Sequence, residues 1–184
     1  RAEYLQKIQE FECDILLNCI GKIKQKTDSF DDLMTANALL PMDISNIPNK
    51  KFIFIHPSTD CIFSGQSKGI YSNNSMHDAT DIYGISKSCG ERLIKDDKNN
   101  LIIRTSIIGT TKNYAGAGIM DWFLSNPDDE KIKGYTNHLW NGITTLKWCE
   151  IVQGIIENEI AAPDSGVLQL ASSKIVNKYE LLTI

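Results

Sequence analysis

The 184-residue chain lacks the features that mark several large classes of protein. No apolar run approaches the roughly 20 residues that a membrane-spanning helix needs, and we expect no secretory leader. Neither sign of charge dominates, because the net charge is only −4. Such a balance argues against a general nucleic-acid-binding or membrane-surface role. We therefore expect a cytoplasmic protein with neither nucleic-acid nor membrane partners.

Metal-binding cysteine patterns are also missing. The five cysteines are scattered, form no CxxC pair and have only three histidines to join them. Cysteine pairs at short spacing are typical of zinc sites, and disulfides belong to oxidising compartments. The pattern predicts reduced thiols and no metal site. Apolar residues make up 42% and charged residues 23% of the chain, which is ordinary for a globular protein.

What the sequence does contain is an alternation of strand and helix patterns. Short apolar runs typical of buried parallel strands lie at residues 14–20, 51–56 and 101–104. Helical spacing predicts helices over residues 28–45 and 81–95, and a polar loop is expected over residues 57–80. This β-α-β-α-β order predicts a parallel sheet, and ligands bind at the carboxyl ends of the strands in such sheets.

Tyr83 and Lys87 lie four residues apart in a predicted helix, so they share one helix face. An ammonium beside a phenol favours the phenolate and lowers the tyrosine pKa from about 10 towards neutrality. Thr59 follows a predicted strand and is placed to hydrogen-bond the same substrate oxygen. The three residues form a general-acid set for proton transfer at a sugar or alcohol carbon. A solvated helix face and a simple turn after the strand are the alternatives without chemistry.

Three segments carry a resemblance to a known family: STDCIFSG at 58–65, YGISK at 83–87 and RTS at 104–106. They resemble the extended short-chain dehydrogenases/reductases, and among these the dTDP-4-dehydrorhamnose reductase branch of nucleotide-sugar reductases. The resemblance implies an α/β fold, namely the C-terminal part of a Rossmann-type doubly wound parallel sheet with a small α/β substrate-binding region. The implied division is a partial dinucleotide-binding domain over residues 1–110 and a substrate-binding region over residues 111–184.

The same resemblance implies a role for each matching residue. Tyr83 would donate a proton to the carbonyl oxygen during hydride transfer, Lys87 would lower the tyrosine pKa and hold the nicotinamide ribose, and Thr59 would bind the reacting oxygen. The residues of the expected cofactor site are Cys19, Ile20, Gly21, Asn37, Ser58, Tyr83 and Lys87. The residues of the expected substrate site are Asp60, Thr105, Ser106, Trp140 and Asn141.

The implied activity is the reduction of a 4-keto nucleotide-linked deoxysugar for the synthesis of cell-surface polysaccharide precursors. The implied cofactor is NADP(H), with NAD(H) as the alternative. Two other functions stay open: a nucleotide-sugar epimerase or dehydratase, and a non-catalytic nucleotide-binding regulatory homologue. Superfamily members often dimerise through the helix that carries the tyrosine and lysine, so a homodimer is one expected assembly.

The sequence departs from the family pattern at several places. It has no glycine-rich GxxGxxG turn, which would cradle a cofactor pyrophosphate at a helix N-terminus. We therefore expect upstream residues in the functional protein. Cys61 and Ile107 stand where rhamnose reductases often carry aromatic residues. Both lie where the sugar is expected, so the identity of the sugar stays open.

Overall fold

The computed structural model describes residues 2–67, 69–111, 118–127, 131–164 and 166–183. In chain order the strands are β1 (Ile15–Leu17), β2 (Ile53–Thr59), β3 (Asn100–Thr105), β4 (Ile107–Ile108), β5 (Leu139–Trp140), β6 (Ile143–Thr144), β7 (Val167–Gln169) and β8 (Val176–Asn177). The helices are α1 (Ala2–Glu10), α2 (Phe30–Met34), α3 (Leu40–Ser45), α4 (Ile82–Ile94), α5 (Ile119–Leu124), α6 (Thr145–Ile156) and α7 (Lys178–Thr183).

The chain folds into two compact units. The first unit comprises residues 1–104 and 161–169, and the second comprises residues 105–160 and 170–184. Over the described residues, every helix is too short or too polar to cross a lipid bilayer.

A sheet with the strand order β1-β2-β3-β7 forms the centre of the first unit. The β1–β2 and β3–β7 pairs are parallel, with Leu16 opposite Phe54 and Ile103 opposite Leu168. The apolar core against this sheet consists of Ile44, Ile47, Phe52, Phe54, Ile94 and Ile102. All residues of β3 are buried. This agrees with the continuous apolar run in the sequence, which predicted an interior parallel strand. The prediction of a parallel α/β sheet is confirmed.

The predicted helix over residues 28–45 is present but contains an irregularity that the sequence pattern did not show. Ser29 caps its start, because the serine hydroxyl oxygen accepts a hydrogen bond from the Asp32 amide at 3.2 Å. A π-helical turn, Thr35–Leu39, separates α2 from α3, and the Leu40 amide donates to the Thr35 carbonyl. Pro41 follows immediately and has no N–H for the carbonyl four residues earlier. That carbonyl belongs to Asn37, a predicted site residue.

Strand β2 is longer than predicted. It runs to Thr59, so residues 57–59 belong to the strand and a 3₁₀ turn, Asp60–Ile62, follows them. Proline is rare inside sheets because it cannot donate to a neighbouring strand. The registered pairs between β1 and β2 end at Ile55, so Pro57 removes no bond from that pair. Strand β1 is shorter than the predicted residues 14–20 and ends at Leu17.

The second unit is built from small pieces. Strands β4 and β6 pair in parallel, and β5 pairs antiparallel with β8. Helix α6 begins at a threonine cap, because the Thr144 hydroxyl oxygen accepts a hydrogen bond from the Lys147 amide at 3.1 Å. Trp148 and Val152 are the buried apolar side chains of this helix.

Candidate active site

The end of β2 and the start of α4 bring Thr59 and Tyr83 together. Thr59 is the last residue of β2, and its buried hydroxyl oxygen accepts a hydrogen bond from the Cys61 amide at 3.1 Å. Tyr83 lies in the first turn of α4, where the Asp81 carboxylate caps the helix by accepting hydrogen bonds from the Tyr83 amide at 2.9 Å and the Gly84 amide at 3.0 Å. The Thr59 hydroxyl lies close enough to the Tyr83 phenol to lower its pKa.

The protonation of Tyr83 differs from the expectation. Burial raises the pKa of Tyr83 to about 12, and the neighbouring Cys61, Asp60 and Asp81 act in the same direction. The Thr59 hydroxyl lowers the pKa but does not offset the burial. The expected lowering by Lys87 is wrong for this structure, because burial sets the direction of the shift and the neighbours that act on the phenol are Cys61, Thr59, Asp60 and Asp81. The phenol is therefore held in its protonated form at neutral pH.

Lys87 is buried one turn further along α4. Its Nζ donates a hydrogen bond to the Pro57 carbonyl oxygen at 2.9 Å, which ties the helix to the end of β2. Burial lowers the pKa of Lys87 to about 8, and Glu91 in the next turn opposes this shift. Lys87 therefore remains mostly charged at neutral pH and loses its charge in mildly alkaline solution.

Asn37 joins the segment after β1 to the helix that carries the tyrosine and lysine. Its side chain is fully buried, and its Oδ1 accepts a hydrogen bond from the Lys22 amide at 2.9 Å. Its Nδ2 donates to the Lys22 carbonyl at 2.9 Å and to the Ser86 hydroxyl at 3.0 Å. A Cβ atom on Gly21 would lie 3.4 Å from Asn37 Oδ1 and 3.9 Å from Lys87 Nζ. The predicted residues Gly21, Asn37 and Lys87 are therefore neighbours.

A second polar pair at the end of β1 was not identified from the sequence. Asn18 Nδ2 donates to His56 Nδ1 at 3.0 Å, and Asn18 Oδ1 accepts from the Ile20 amide at 2.9 Å. Burial, followed by the charge of Lys87, lowers the pKa of His56 to about 3, so the imidazole is neutral. Since His56 Nδ1 accepts, the ring proton is on Nε2. Side chains alternate between the two faces of a strand, so the sequence of β2 already put His56 on the same face as Phe54. His56 could have been identified from that alternation.

The remaining residues of the predicted cofactor site lie at the same strand ends. The Ser58 hydroxyl is buried and has no hydrogen-bond partner within the described part of the chain. Cys19 and Ile20 are exposed, and the Ile20 amide is held by Asn18. Buried polar atoms are nearly always hydrogen-bonded in folded proteins. Among the described residues, the Ser58 hydroxyl is an exception to this rule.

The predicted substrate residues are divided between the two units. Asp60 is exposed in the first unit, with Oδ1 3.2 Å from the Thr59 hydroxyl. In the second unit, Trp140 Nε1 donates to the Ser106 hydroxyl at 2.9 Å, and the Thr105 hydroxyl donates to the Ser106 carbonyl at 3.3 Å. The Asn141 carbonyl accepts from the Ser172 amide at 2.6 Å. The structure thus brings Ser106 and Trp140 into contact within their unit.

Among the described residues, no group of three or more His, Cys, Asp or Glu side chains is arranged to hold a metal ion. The functional groups of the first unit are instead the hydroxyls of Thr59 and Tyr83 and the ammonium of Lys87. They gather where β2 ends and α4 begins, beside the segment that follows β1.

A parallel sheet with these groups at its strand ends defines an α/β protein of the Rossmann type. The chain belongs to the RmlD substrate binding domain family, whose model matches residues 5–182. The family resemblance found in the sequence is thereby confirmed.

Individual relatives extend this comparison. The probable low-salt glycan biosynthesis reductase Agl14 of Haloferax volcanii is 29% identical over 120 residues, which cover 61% of this chain and 40% of that protein. The spore coat polysaccharide biosynthesis protein SpsK of Bacillus subtilis is 26% identical over 131 residues, covering 71% of this chain and 44% of that protein. The chain therefore spans less than half the length of these two curated relatives.

The fold comparison agrees with the family assignment. The crystal structure of dTDP-4-dehydrorhamnose reductase from Bacillus anthracis, in complex with NADP, matches with a TM-score of 0.83 at 18% sequence identity. The match covers 99% of this chain and 64% of that one. At this level of identity the likeness shows the shared fold.

Proposed function

We propose that the protein is an NADPH-dependent reductase of a 4-keto nucleotide-linked deoxysugar that supplies precursors for cell-surface polysaccharide. The observation that carries the proposal is the placement of the Thr59 hydroxyl beside the Tyr83 phenol, with Lys87 one helical turn away. The names of the two curated relatives, a glycan biosynthesis reductase and a spore coat polysaccharide biosynthesis protein, support the same assignment. Cytoplasmic location and a homodimeric assembly remain part of the proposal.

The protonation of Tyr83 supports the direction of the reaction. Reduction of a ketone requires a hydride at the carbon and a proton at the oxygen. A phenol with a pKa of about 12 is protonated at neutral pH, so it is ready to donate. In the proposed step Thr59 orients the carbonyl oxygen and Tyr83 transfers its proton to that oxygen. Lys87, whose Nζ is held by the Pro57 carbonyl one turn along α4, is proposed to hold the nicotinamide ribose.

The residues of the first unit fit a nicotinamide cofactor. Gly21 leaves space beside Asn37 Oδ1 and Lys87 Nζ, and Cys19 and Ile20 are exposed in the same segment after β1. When bound, the cofactor supplies the hydride, and the protein supplies orientation and electrostatics. The residues proposed to hold it are Cys19, Ile20, Gly21, Asn37, Ser58, Tyr83 and Lys87. The name of the Bacillus anthracis complex supports NADP, and NAD is the alternative.

The proposed substrate contacts are Asp60, Thr105, Ser106, Trp140 and Asn141. The indole N–H of Trp140 is already bonded to Ser106, so the tryptophan contributes a fixed ring face and not a donor. We propose that residues 1–110 serve the cofactor and that residues 111–184 serve the nucleotide sugar. This division rests on the family resemblance.

The test is a turnover assay of the protein with NADPH over a panel of 4-keto nucleotide sugars, followed by the loss of reduced-nicotinamide absorbance. Tyr83→Phe should lower kcat by about 10²–10⁴-fold, as expected when a general acid is removed. Tyr179→Phe is the matched control, because Tyr179 is half exposed on α7, and it should leave kcat unchanged.

Each of the other outcomes has a defined meaning. Cofactor binding without turnover on any sugar of the panel would contradict the reductase proposal and favour the regulatory homologue. Conversion of a nucleotide sugar without net oxidation of NADPH would favour an epimerase or dehydratase. Asp60, 3.2 Å from the Thr59 hydroxyl, is the acidic residue that a dehydratase would use.

A further inference from the structure

A buried ion pair joins the helix that carries Tyr83 and Lys87 to the neighbouring strand. Arg104 at the end of β3 donates from Nε to both carboxylate oxygens of Glu91, at 3.0 and 2.9 Å, and from Nη2 to Oε2 at 2.7 Å. The two side chains are only 5% and 2% exposed. The Glu91 carboxylate is thus occupied by three hydrogen bonds from one guanidinium.

His77 lies against this ion pair and is defined by its bonds as a neutral imidazole. Its Nε2 is 3.0 Å from Arg104 Nη2, and its Nδ1 is 2.8 Å from the Ser88 hydroxyl. Arginine can only donate hydrogen bonds, so His77 Nε2 must be an acceptor and carries no proton. The proton is therefore on Nδ1, where it is donated to Ser88, the residue that follows Lys87 in α4.

The same arginine holds more of the segment that contains His77. Arg104 Nη1 donates to the Asn73 carbonyl at 3.1 Å, and its guanidinium lies 5.7 Å from the centre of the Phe63 ring. The Phe63 ring stacks on Tyr71 at 4.3 Å and meets the His77 ring edge-on. Residues 71–78 are thus held to α4 and β3 through the guanidinium and the imidazole, and their start is held to β7 by the Asn73 side chain and the Tyr71 carbonyl.

Position in the chain makes this attachment relevant to the candidate active site. Residues 71–78 belong to the connection that runs from Thr59 and Asp60 to Asp81, which caps the helix at Tyr83. The Ile62 carbonyl also accepts hydrogen bonds from the Asp78 and Ala79 amides, at 3.2 and 3.1 Å. A displacement of residues 71–78 would therefore disturb both Thr59 and the Asp81 cap that holds Tyr83. Thr59 and Tyr83 carry the proposed catalytic hydroxyls.

The charges around His77 disfavour its protonation. Helix α4 presents Glu91, Arg92 and Lys95, and strand β3 presents Arg104. On the segment of His77 itself, Asp78 is engaged by the amide and hydroxyl of Ser64. Burial lowers the pKa of His77, Glu91 at 3.6 Å opposes this shift, and the three cations add to the lowering. A proton on Nε2 would face the N–H groups of Arg104.

We propose that His77 is a positioning residue whose neutral imidazole fastens residues 71–78 to α4, and whose protonation in acid releases this segment and reduces catalysis. The effect on catalysis rests on the reductase activity proposed above, whereas the release of the segment does not. The direction of the pH effect follows from these hydrogen bonds. The attachment is intact above the ordinary histidine pKa of about 6.5 and is lost as the pH falls through the lowered pKa of His77.

The experiment combines amide hydrogen exchange over residues 71–78 with the pH dependence of kcat. In the unmodified protein, exchange corrected for its intrinsic rate should accelerate, and kcat should fall, as the pH drops through a midpoint that lies below the ordinary histidine pKa of about 6.5. His77→Gln is the conservative variant, because its amide can accept from Arg104 and donate to Ser88 but does not titrate. It should keep slow exchange and an unchanged kcat throughout this range.

His77→Phe is the companion variant, because it fills the volume without either hydrogen bond. It should show fast exchange over residues 71–78 at every pH and a lower kcat at neutral pH. The proposal would be overturned if kcat still fell in acid in the His77→Gln variant. It would also be overturned if the corrected exchange rate of the unmodified protein did not change with pH. If no sugar on the panel is reduced, the exchange measurements still decide whether His77 holds the segment, so the two proposals fail separately.

Discussion

The closest approach between helix α4 and the π-helical turn is a backbone contact that only glycine allows, and it yields a sharp stability prediction. A Cβ atom on Gly90 would lie 2.1 Å from the Asn37 carbonyl oxygen and 3.2 Å from its carbonyl carbon. Non-bonded heavy atoms are comfortable at roughly 3.5–4.0 Å. Gly90→Ala must therefore move α4 and the π-helical turn apart by about 1 Å, because neither contacting atom belongs to a flexible side chain.

Two opposing terms set the size of the effect. Overpacking of a well-filled interior costs about 1–3 kcal/mol, and a backbone contact places this substitution at the upper end. Replacing glycine by alanine inside a helix returns about 1 kcal/mol. The net loss of unfolding free energy should be about 2 kcal/mol, which corresponds to a melting temperature lower by about 4–8 °C for a domain of this size.

Gly154→Ala is the matched control, because this residue is also a glycine inside a helix. Its Cβ would approach Ile160 Cδ1 at 2.8 Å and Cγ1 at 3.0 Å, which are the movable end of a side chain. The control should melt within about 2 °C of the unmodified protein. Thermal unfolding followed by circular dichroism compares the two variants. A Gly90→Ala protein that melts at or above the unmodified temperature would refute the reasoning.

Two further predictions concern the charged groups of α4. Glu91→Gln leaves the guanidinium of Arg104 buried without a counter-charge, so it should lower the unfolding free energy measured in urea titrations by about 3–5 kcal/mol. The control is Glu150→Gln, which breaks an exposed pair with Lys147 and should lower the unfolding free energy by about 0–1 kcal/mol. Equal losses in the two variants would contradict the role of burial. Because the pKa of Lys87 is about 8, kcat/KM should fall as the pH rises above 8, and Lys87→Arg should remove this alkaline loss from the range below pH 10 even if it lowers the overall rate. An alkaline loss at the same pH in both proteins would assign it to another group.

The sequence predicted the elements that follow from local patterns. Helix α4 was expected over residues 81–95 and spans Ile82–Ile94, because the Asp81 cap and the apolar spacing both specify it locally. The run of buried β3 residues likewise predicted an interior strand. The π-helical turn was not predicted, because it depends on Pro41 and on the approach of Gly90 from a distant helix. No helical periodicity records such a contact.

The candidate site shows the same division between local and distant causes. Thr59, Tyr83 and Lys87 were predicted because they form a recognisable motif, and the structure places the Thr59 hydroxyl beside the Tyr83 phenol. His56 and His77 were not identified, because neither belongs to a motif. Their partners, Asn18 for His56 and Arg104 for His77, are 38 and 27 residues away along the chain. Only the sheet and the packing of α4 bring them together.

The pKa of Tyr83 shows why the local rule for this pair was wrong. A spacing of four residues does place Tyr83 and Lys87 on one helix face, and the rule assumes that the ammonium then faces the phenol. In the structure the Lys87 ammonium bonds the Pro57 carbonyl, and burial becomes the largest influence on both side chains. Burial disfavours each charged form, so it raises the pKa of the tyrosine and lowers that of the lysine. Both shifts therefore favour uncharged side chains, because the phenol keeps its proton at neutral pH and the lysine loses its charge near pH 8.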